Sequence, residues 1–264
     1  MKAIVFLGGG RITSALIAGL RLVKFDQPIV VHDRHPRKLQ RLKLQYGVSV
    51  ESDLHRAVNL AGILVIAVRP DSVRGLLKEI APRVRKPLTA VSLAAGIPLN
   101  RLRAASGPPV HWARAMPSPV SRSGRGLTAL TFDRKVPAAG RAQVRKLFAL
   151  VGPVAEIPEK QFDAFTVTFS SSHGYHALAT LSAAAEAIGL DGKMARMAAA
   201  HALADGIGAW REGDVPLHEL LEEAATPGGT AAAVMASLDS AGYRRMVAKG
   251  LRAGTRQARR NAAP

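Results

Sequence analysis

Five apolar residues, Ala3-Ile4-Val5-Phe6-Leu7, run into Gly8-Gly9-Gly10-Arg11-Ile12-Thr13 and then into a helical pattern that lasts to Val23. No other stretch restricts the fold so strongly. The apolar run has the length of a buried strand, and Ile12, Ala15, Leu16, Gly19 and Leu20 recur at helical spacing. A strand that meets glycines and passes straight into a helix brings free helix N–H groups and a positive dipole end to a surface without side chains. That order suits the pyrophosphate of a dinucleotide. Gly8 permits the tight turn, Gly10 permits close backbone approach, and Arg11 and Ile12 open the helix. Thr13 stands where the usual pattern has its third glycine, so helix and strand are expected to pack less closely. A glycine motif alone is weak evidence, and its place one strand from the N-terminus is what strengthens it. The alternative is an ordinary strand–helix turn that happens to be glycine-rich.

The next apolar strand, Pro28–His32, ends at Asp33-Arg34. In doubly wound sheets that position reads the adenosine ribose: a carboxylate accepts from its hydroxyls, whereas arginine accommodates a 2′-phosphate. Both residues are present. The following Arg37, Lys38, Arg41 and Lys43, read with Arg34 as one short basic helix, tip the reading to NADP(H), with NAD left possible. Strands follow at Val48–Val50, Ile63–Val68, Leu88–Ser92, Val110–Ala115, Leu127–Phe132 and Pro153–Ile157, with a helix capped by Asp53 and another over Ala138–Leu150. Ile63–Val68 is a continuous apolar run of the kind buried in parallel sheets. Val68-Arg69-Pro70 and Ala95 follow strand ends, where such sheets open their crevice, and join the candidate cofactor residues. The fold class is α/β, with an N-terminal Rossmann-like doubly wound sheet over residues 1–158.

From Pro158 onward strand patterns stop and alanine-rich helical periodicity takes over, with helices expected at Gln161–Gly189, Asp191–Arg211, Pro216–Ala225, Gly229–Ser240 and Tyr243–Ala258. Residues 159–264 therefore form an all-α half. At about 100 residues it is marginal as an independent core, so it is expected to pack against a second copy of itself.

The formal charge of +18 is unevenly placed. Met1–Ile157 carry 26 Lys/Arg against 8 Asp/Glu, and the remaining chain carries 11 of each. A basic field on the nucleotide-binding half attracts phosphorylated cofactors and anionic substrates. No basic tail or DNA-reading motif accompanies it, which weighs against specific nucleic-acid binding. Cysteine is absent, so disulfides and thiolate nucleophiles are excluded. No run approaches the ~18 apolar residues of a membrane span, and no charged-then-apolar leader precedes the first strand. The expectation is a cytoplasmic protein with no membrane association.

Several of these segments together resemble the pyrroline-5-carboxylate reductase family from first strand to last helix. They are Phe6–Ile12, Val68-Arg69-Pro70, Ala95-Gly96-Ile97, Arg114-Ala115-Met116-Pro117, Gly124–Leu130 and Thr226-Pro227-Gly228-Gly229-Thr230. The resemblance implies an NAD(P)H-dependent reductase of a cyclic imine carboxylate, of the proline-biosynthesis type, whose helical domain interlocks in a homodimer or a higher ring. It also implies that Thr226, Gly228 and Gly229 bind substrate with Ser171 and Gly174, which survive from the family's Ser-Gly-Ser-Gly-Pro-Ala-Tyr run.

Ser172, His173 and Tyr175 depart from that run, Ser118 stands where the family has Asn, and Ala231 stands where it has a threonine that bonds the substrate's ring nitrogen. Reduction of an iminium carbon asks chiefly for proximity, orientation and a site for the carboxylate. Bare N–H groups at Gly228-Gly229-Thr230, opening a helix, fit that anion; a plain helix start capped by Thr226 is the alternative. His173 and His176 lie three apart, and an imidazole there can protonate an imine nitrogen. His173 and Thr230 are accordingly the candidate catalytic residues. The pair has no obvious third ligand, and no metal is expected. Two functions stay open: the reductase, and a catalytically weak or inactive NADP(H)-binding dimer with a sensing or assembly role.

Overall fold

A computed structural model describes residues 2–261. They divide into a sheet unit, which reaches to Phe169 and is rejoined by the chain from Ala253, and a helical unit, Ser170–Arg252. The eight strands of the sheet unit are β1 (Ala3–Leu7), β2 (Ile29–His32), β3 (Ser49–Val50), β4 (Ala61–Ile66), β5 (Leu88–Ser92), β6 (Val110–Pro117), β7 (Thr128–Phe132) and β8 (Val154–Glu156). They lie in the order β3-β2-β1-β4-β5-β6-β7-β8. Seven helices connect or follow them: α1 (Arg11–Leu22), α2 (Pro36–Tyr46), α3 (Leu54–Asn59), α4 (Pro70–Ile80), α5 (Leu99–Ser106), α6 (Ala138–Ala149) and α7 (Glu159–Thr168). The chain runs outward from β1 to β3, then crosses back to β4 on the other side of β1. The doubly wound reading holds, with β4 beginning and ending two residues earlier than its apolar run.

Every residue of β1 is buried, because both faces of the sheet are covered. Ile4 and Phe6 pack with Leu16, Ile17 and Leu20 of α1, while Val5 and Leu7 pack with Leu64, Ile66, Val73 and Leu77. That two-sided burial accounts for an unbroken apolar run where an exposed-face strand would alternate. Register brings Leu7 opposite His32 on one side and Ile66 on the other, so Gly8, Asp33 and Ala67 meet at one end of the sheet. The exception to parallel pairing is β6 with β7, joined through residues 118–127 without a crossover helix.

The long helix expected over Gln161–Gly189 is broken. α7 ends at Thr168, and the next helix starts at Ser172. Serines in the gap offer the backbone local alternatives to the helical ladder: the Ser170 and Ser172 hydroxyls are 2.7 Å apart, and Ser170 Oγ accepts from the Ser172 N–H. α7 itself is held to the sheet by Arg114 of β6, which is buried, pairs with Glu159 (3.0 Å) and Asp163 (2.7 Å), and lies over the Phe162 ring. Compact packing therefore keeps α7 with the sheet, past the composition change at Pro158.

The helical unit holds α8 (Ser172–Ala187), α9 (Gly192–Glu212), α10 (Leu217–Ala224), α11 (Thr230–Ser240) and the start of α12 (Tyr243–Asn261). Asp191 caps α9 by accepting from the Lys193 and Met194 N–H groups. Among its described residues only Ser182, Ala195, Ala199 and Gly242 are buried, whereas Leu181, Ile188, Met197, Ile207, Trp210 and Val234 are all at least 40% exposed. Such a helical layer lacks the core that would hold it alone. The last turns of α12 return to the sheet unit, where Gly96 (φ +80°) lets the backbone at Ala258 come so close that a Cβ would overlap the Ala258 carbonyl. Among the described residues, no helix is long and apolar enough to cross a membrane.

Candidate active site

At the β1–α1 turn Gly8 has φ +112°, and a Cβ there would fall 2.5 Å from the Ala67 carbonyl oxygen at the end of β4. Only glycine fits, for both reasons. Gly10 is the extended N-cap of α1, and a Cβ placed on it meets nothing within 4 Å. The first helical bond runs from the Ser14 N–H to the Gly10 carbonyl, leaving the Arg11, Ile12 and Thr13 N–H groups without an intrahelical acceptor. Three aligned donors facing a surface free of side chains fit a pyrophosphate. Thr13 has a second role that its sequence position did not suggest. Its buried hydroxyl donates to the Gly8 carbonyl at 2.6 Å, tying the helix to the turn, so only its backbone N–H can meet a cofactor.

Asp33 requires a correction. Its carboxylate accepts from the Gly9 N–H (2.8 Å), the His35 N–H (2.9 Å) and Lys38 Nζ (3.3 Å), and lies 3.1 Å from His35 Nδ1. Partial burial pushes this carboxyl up, but the two backbone N–H groups and Lys38 outweigh it and hold it below its ordinary value. With its side chain only 9% exposed, the carboxylate staples the glycine turn to the β2 end and has little capacity left for a ribose. Arg34 is exposed and lies in the loop before α2, not on it as the charge run suggested. Arg37, Arg41 and Lys43 are exposed on α2 itself. This disposition favours a 2′-phosphate over a free ribose hydroxyl.

Of the other strand-end residues, half-buried Val68 packs against the core, exposed Arg69 is the N-cap of α4 and lies 3.9 Å from Asp71, and Pro70 begins the helix without an N–H to offer. The Ala95 carbonyl accepts from Asn261 Nδ2 at 3.3 Å, a partner supplied by α12 and invisible to local pattern. Asn261, His35 and the Arg114 clamp were missed by sequence reasoning, and Lys38 was read only as part of the basic run, not as a partner of Asp33. Only the Asp33–His35–Lys38 spacing offered a signal.

In the helical unit the diglycine turn lies between α10 and α11. Gly228 has φ +75°, which requires glycine. The Gly229 N–H is not bare, because it donates to the Thr226 carbonyl at 2.9 Å, and Gly229 is the N-cap of α11. Nor is Thr226 a cap, since its hydroxyl donates back to the Glu223 carbonyl at 3.2 Å. The first helical bond of α11 runs from Ala233 to Gly229, so the open donors are the N–H groups of Thr230, Ala231 and Ala232. The run of open donors thus lies two residues further along the chain than the expected Gly228-Gly229-Thr230. At the other candidate cluster, Ser171 is the N-cap of α8 but its side chain makes no capping bond. His173, Gly174, Tyr175 and His176 are exposed in the first turns; the His173 N–H donates to the Ser170 carbonyl, and a Cβ on Gly174 would meet open space. Among the described residues no three His, Asp or Glu side chains gather as a metal site would require.

A dinucleotide cradle at the switch point of a doubly wound sheet, followed by an alanine-rich helical half, defines a two-part nicotinamide-dependent oxidoreductase. Residues 3–96 match the family model described as NADP oxidoreductase coenzyme F420-dependent, and residues 159–261 match pyrroline-5-carboxylate reductase dimerisation. The chain is 30% identical over 256 residues to pyrroline-5-carboxylate reductase of Synechocystis sp., covering 95% of each, and 31% identical over 250 residues to that of Corynebacterium melassecola, covering 92% and 93%. The chain belongs to the pyrroline-5-carboxylate reductase family. Its fold is similar to those of solved pyrroline-5-carboxylate reductases from Coxiella burnetii (TM-score 0.88, 24% identity, 100% and 99% covered) and Plasmodium falciparum (TM-score 0.88, 20% identity, 99% and 98% covered), the latter with NADP bound.

Proposed function

We propose that this protein is an NAD(P)H-dependent reductase of the C=N bond of a cyclic imine carboxylate, with pyrroline-5-carboxylate as first candidate and NADPH as preferred cofactor. The observation that carries it is the open β1–α1 cradle, with its carboxylate stapled inward and Arg34 beside it in the open. Family membership supports the reductase over an inactive sensing dimer. When bound, the reduced nicotinamide supplies a hydride. The chain's own residues do the rest. The Arg11, Ile12 and Thr13 N–H groups hold pyrophosphate, Arg34 meets the 2′-phosphate, and the loops at Val68-Arg69-Pro70 and Ala95 border the cofactor. In the helical half, the N–H groups at the start of α11 hold the substrate carboxylate, with the glycines and Thr226 shaping that turn. His173 or the Thr230 hydroxyl bonds the substrate nitrogen in place of the hydroxyl absent at Ala231, with Ser171 and Gly174 beside His173.

The functional division falls at 158/159, a cofactor half followed by a helical substrate half that associates with a second copy, as a dimer or within a larger ring. The exposed apolar side chains of α8, α9 and α11 support that association, and the setting is cytoplasmic. The test is NADPH consumption, followed by absorbance, against pyrroline-5-carboxylate and a panel of cyclic imine carboxylates. Turnover on at least one is expected. A folded protein that binds NADPH but turns over none would overturn the reading in favour of the inactive dimer.

A further inference from the structure

A cleft of about 660 Å³ opens on the sheet unit between α4, α5 and the last turn of α12. Its size lies within the range of roughly 300–1,000 Å³ typical of small-molecule sites. Of the candidate cofactor and substrate residues only Pro70 lies on it, and neither the β1–α1 turn nor the diglycine turn does. Its floor is aliphatic: Val73, Leu77 and Leu102 are buried members of the core beneath, and half-buried Ala105, packed against that core, completes it. Its rim is cationic, with Arg74 and Lys78 on α4, Arg101 on α5 and Arg260 on α12. Among the described residues none of these four has a carboxylate within 4 Å. The one acid on the cleft, Asp71, accepts from the Ser72 hydroxyl and lies 3.9 Å from Arg69.

Arg74 and Lys78 stand four apart on one helix face, an arrangement that repels unless an anion lies between them. No aromatic side chain lines the cleft, so a nucleobase finds no stacking partner. An aliphatic floor under a ring of cations that have no carboxylate partner among the described residues matches a carboxylate or phosphate head on an aliphatic body.

We propose that this cleft binds a small amphiphilic organic anion and thereby alters cofactor affinity. The link to the cradle is short. Pro70, at the cleft mouth, directly follows Val68-Arg69, and Asn261, on its wall, holds the Ala95 carbonyl. A ligand that parts α4 from α5 moves both loops, and the coupling is reciprocal. None of this depends on which imine the enzyme reduces.

Calorimetric titration of the full chain with octanoate, octanol and inorganic phosphate tests it. Octanoate is expected to bind one saturable site per chain, with octanol and phosphate at least tenfold weaker. Arg74→Gln with Lys78→Gln weakens octanoate at least tenfold without changing the melting temperature or NADPH binding in its absence. Ala105→Leu, which fills the floor and keeps the charge, weakens it likewise. Saturating octanoate shifts the NADPH Kd at least threefold in the parent and not in the double variant. Octanoate binding that ignores these substitutions would place it on the exposed apolar helices and overturn the proposal. Octanol or phosphate binding as tightly as octanoate overturns the amphiphile, and an unchanged NADPH Kd overturns the coupling.

Discussion

Replacing Asp33 with alanine separates its structural role from the ribose contact that its position suggests. The substitution deprives the Gly9 N–H of its acceptor at 2.8 Å, and Gly9 is buried. Leaving a buried donor unpaired costs about 1–3 kcal/mol. The His35 N–H is exposed and regains a bond from water. Lys38 is 41% exposed, so its lost pairing adds at most about 1 kcal/mol. The sum centres near 2 kcal/mol, which is roughly thirtyfold in an equilibrium constant. In a sheet unit of this size the melting temperature should fall by about 4–8 °C. NADPH and NADH affinities should weaken together, because the disturbed element is the glycine turn that both cofactors share. Asp33→Asn keeps an acceptor for Gly9 and should recover most of the loss. The carboxyl is held below its ordinary value, so its stabilisation is complete above the unfolded-state value of about 3.9 and fades as pH falls through the lower folded one. The gap between parent and Asp33→Ala should therefore be flat from about pH 5 to 8 and close below about pH 4. Thermal melts across pH, with titration of each cofactor, decide the matter. A selective loss of NADH affinity with an unchanged melting temperature would refute the staple and restore the ribose reading.

Arg34→Ala should weaken NADPH by about 1–3 kcal/mol, the range for charge-assisted hydrogen bonds, and leave NADH nearly unchanged; equal losses for both would remove Arg34 from the 2′-phosphate. Ala231→Thr should raise turnover of pyrroline-5-carboxylate by restoring a hydroxyl at the start of α11, and no gain would count against the nitrogen contact assigned there. His173→Ala should lower kcat by ~10²-fold or more if its imidazole handles the proton, whereas an unchanged rate leaves Thr230 as the remaining candidate. Light scattering at low micromolar concentration should give at least twice the chain mass, and a stable monomer would contradict association through the helical half.

The β1–α1 turn, the positions of the strands along the chain, the Asp53 cap and the alanine-rich helices were legible because periodicity and turn chemistry act over a few neighbouring residues. Asp53 indeed accepts from the Arg56 N–H at 2.7 Å. The family likeness was legible for the same reason, since its motifs are short runs at turns and strand ends. What the tertiary structure decided are the partners of polar groups. Asp33 carries the same carboxylate whether it holds a ribose or the Gly9 N–H. Register between β1 and β2 settles it, by delivering a donor from 24 positions away. The Ala95 carbonyl waits for Asn261, 166 positions on, and Gly96 matters because Ala258 arrives against it. The break after Thr168, the antiparallel β7 and the occupied Gly229 N–H belong to the same class. A hydrogen bond or a close approach depends on two groups meeting in space, and only the folded chain brings distant groups within 3 Å of each other.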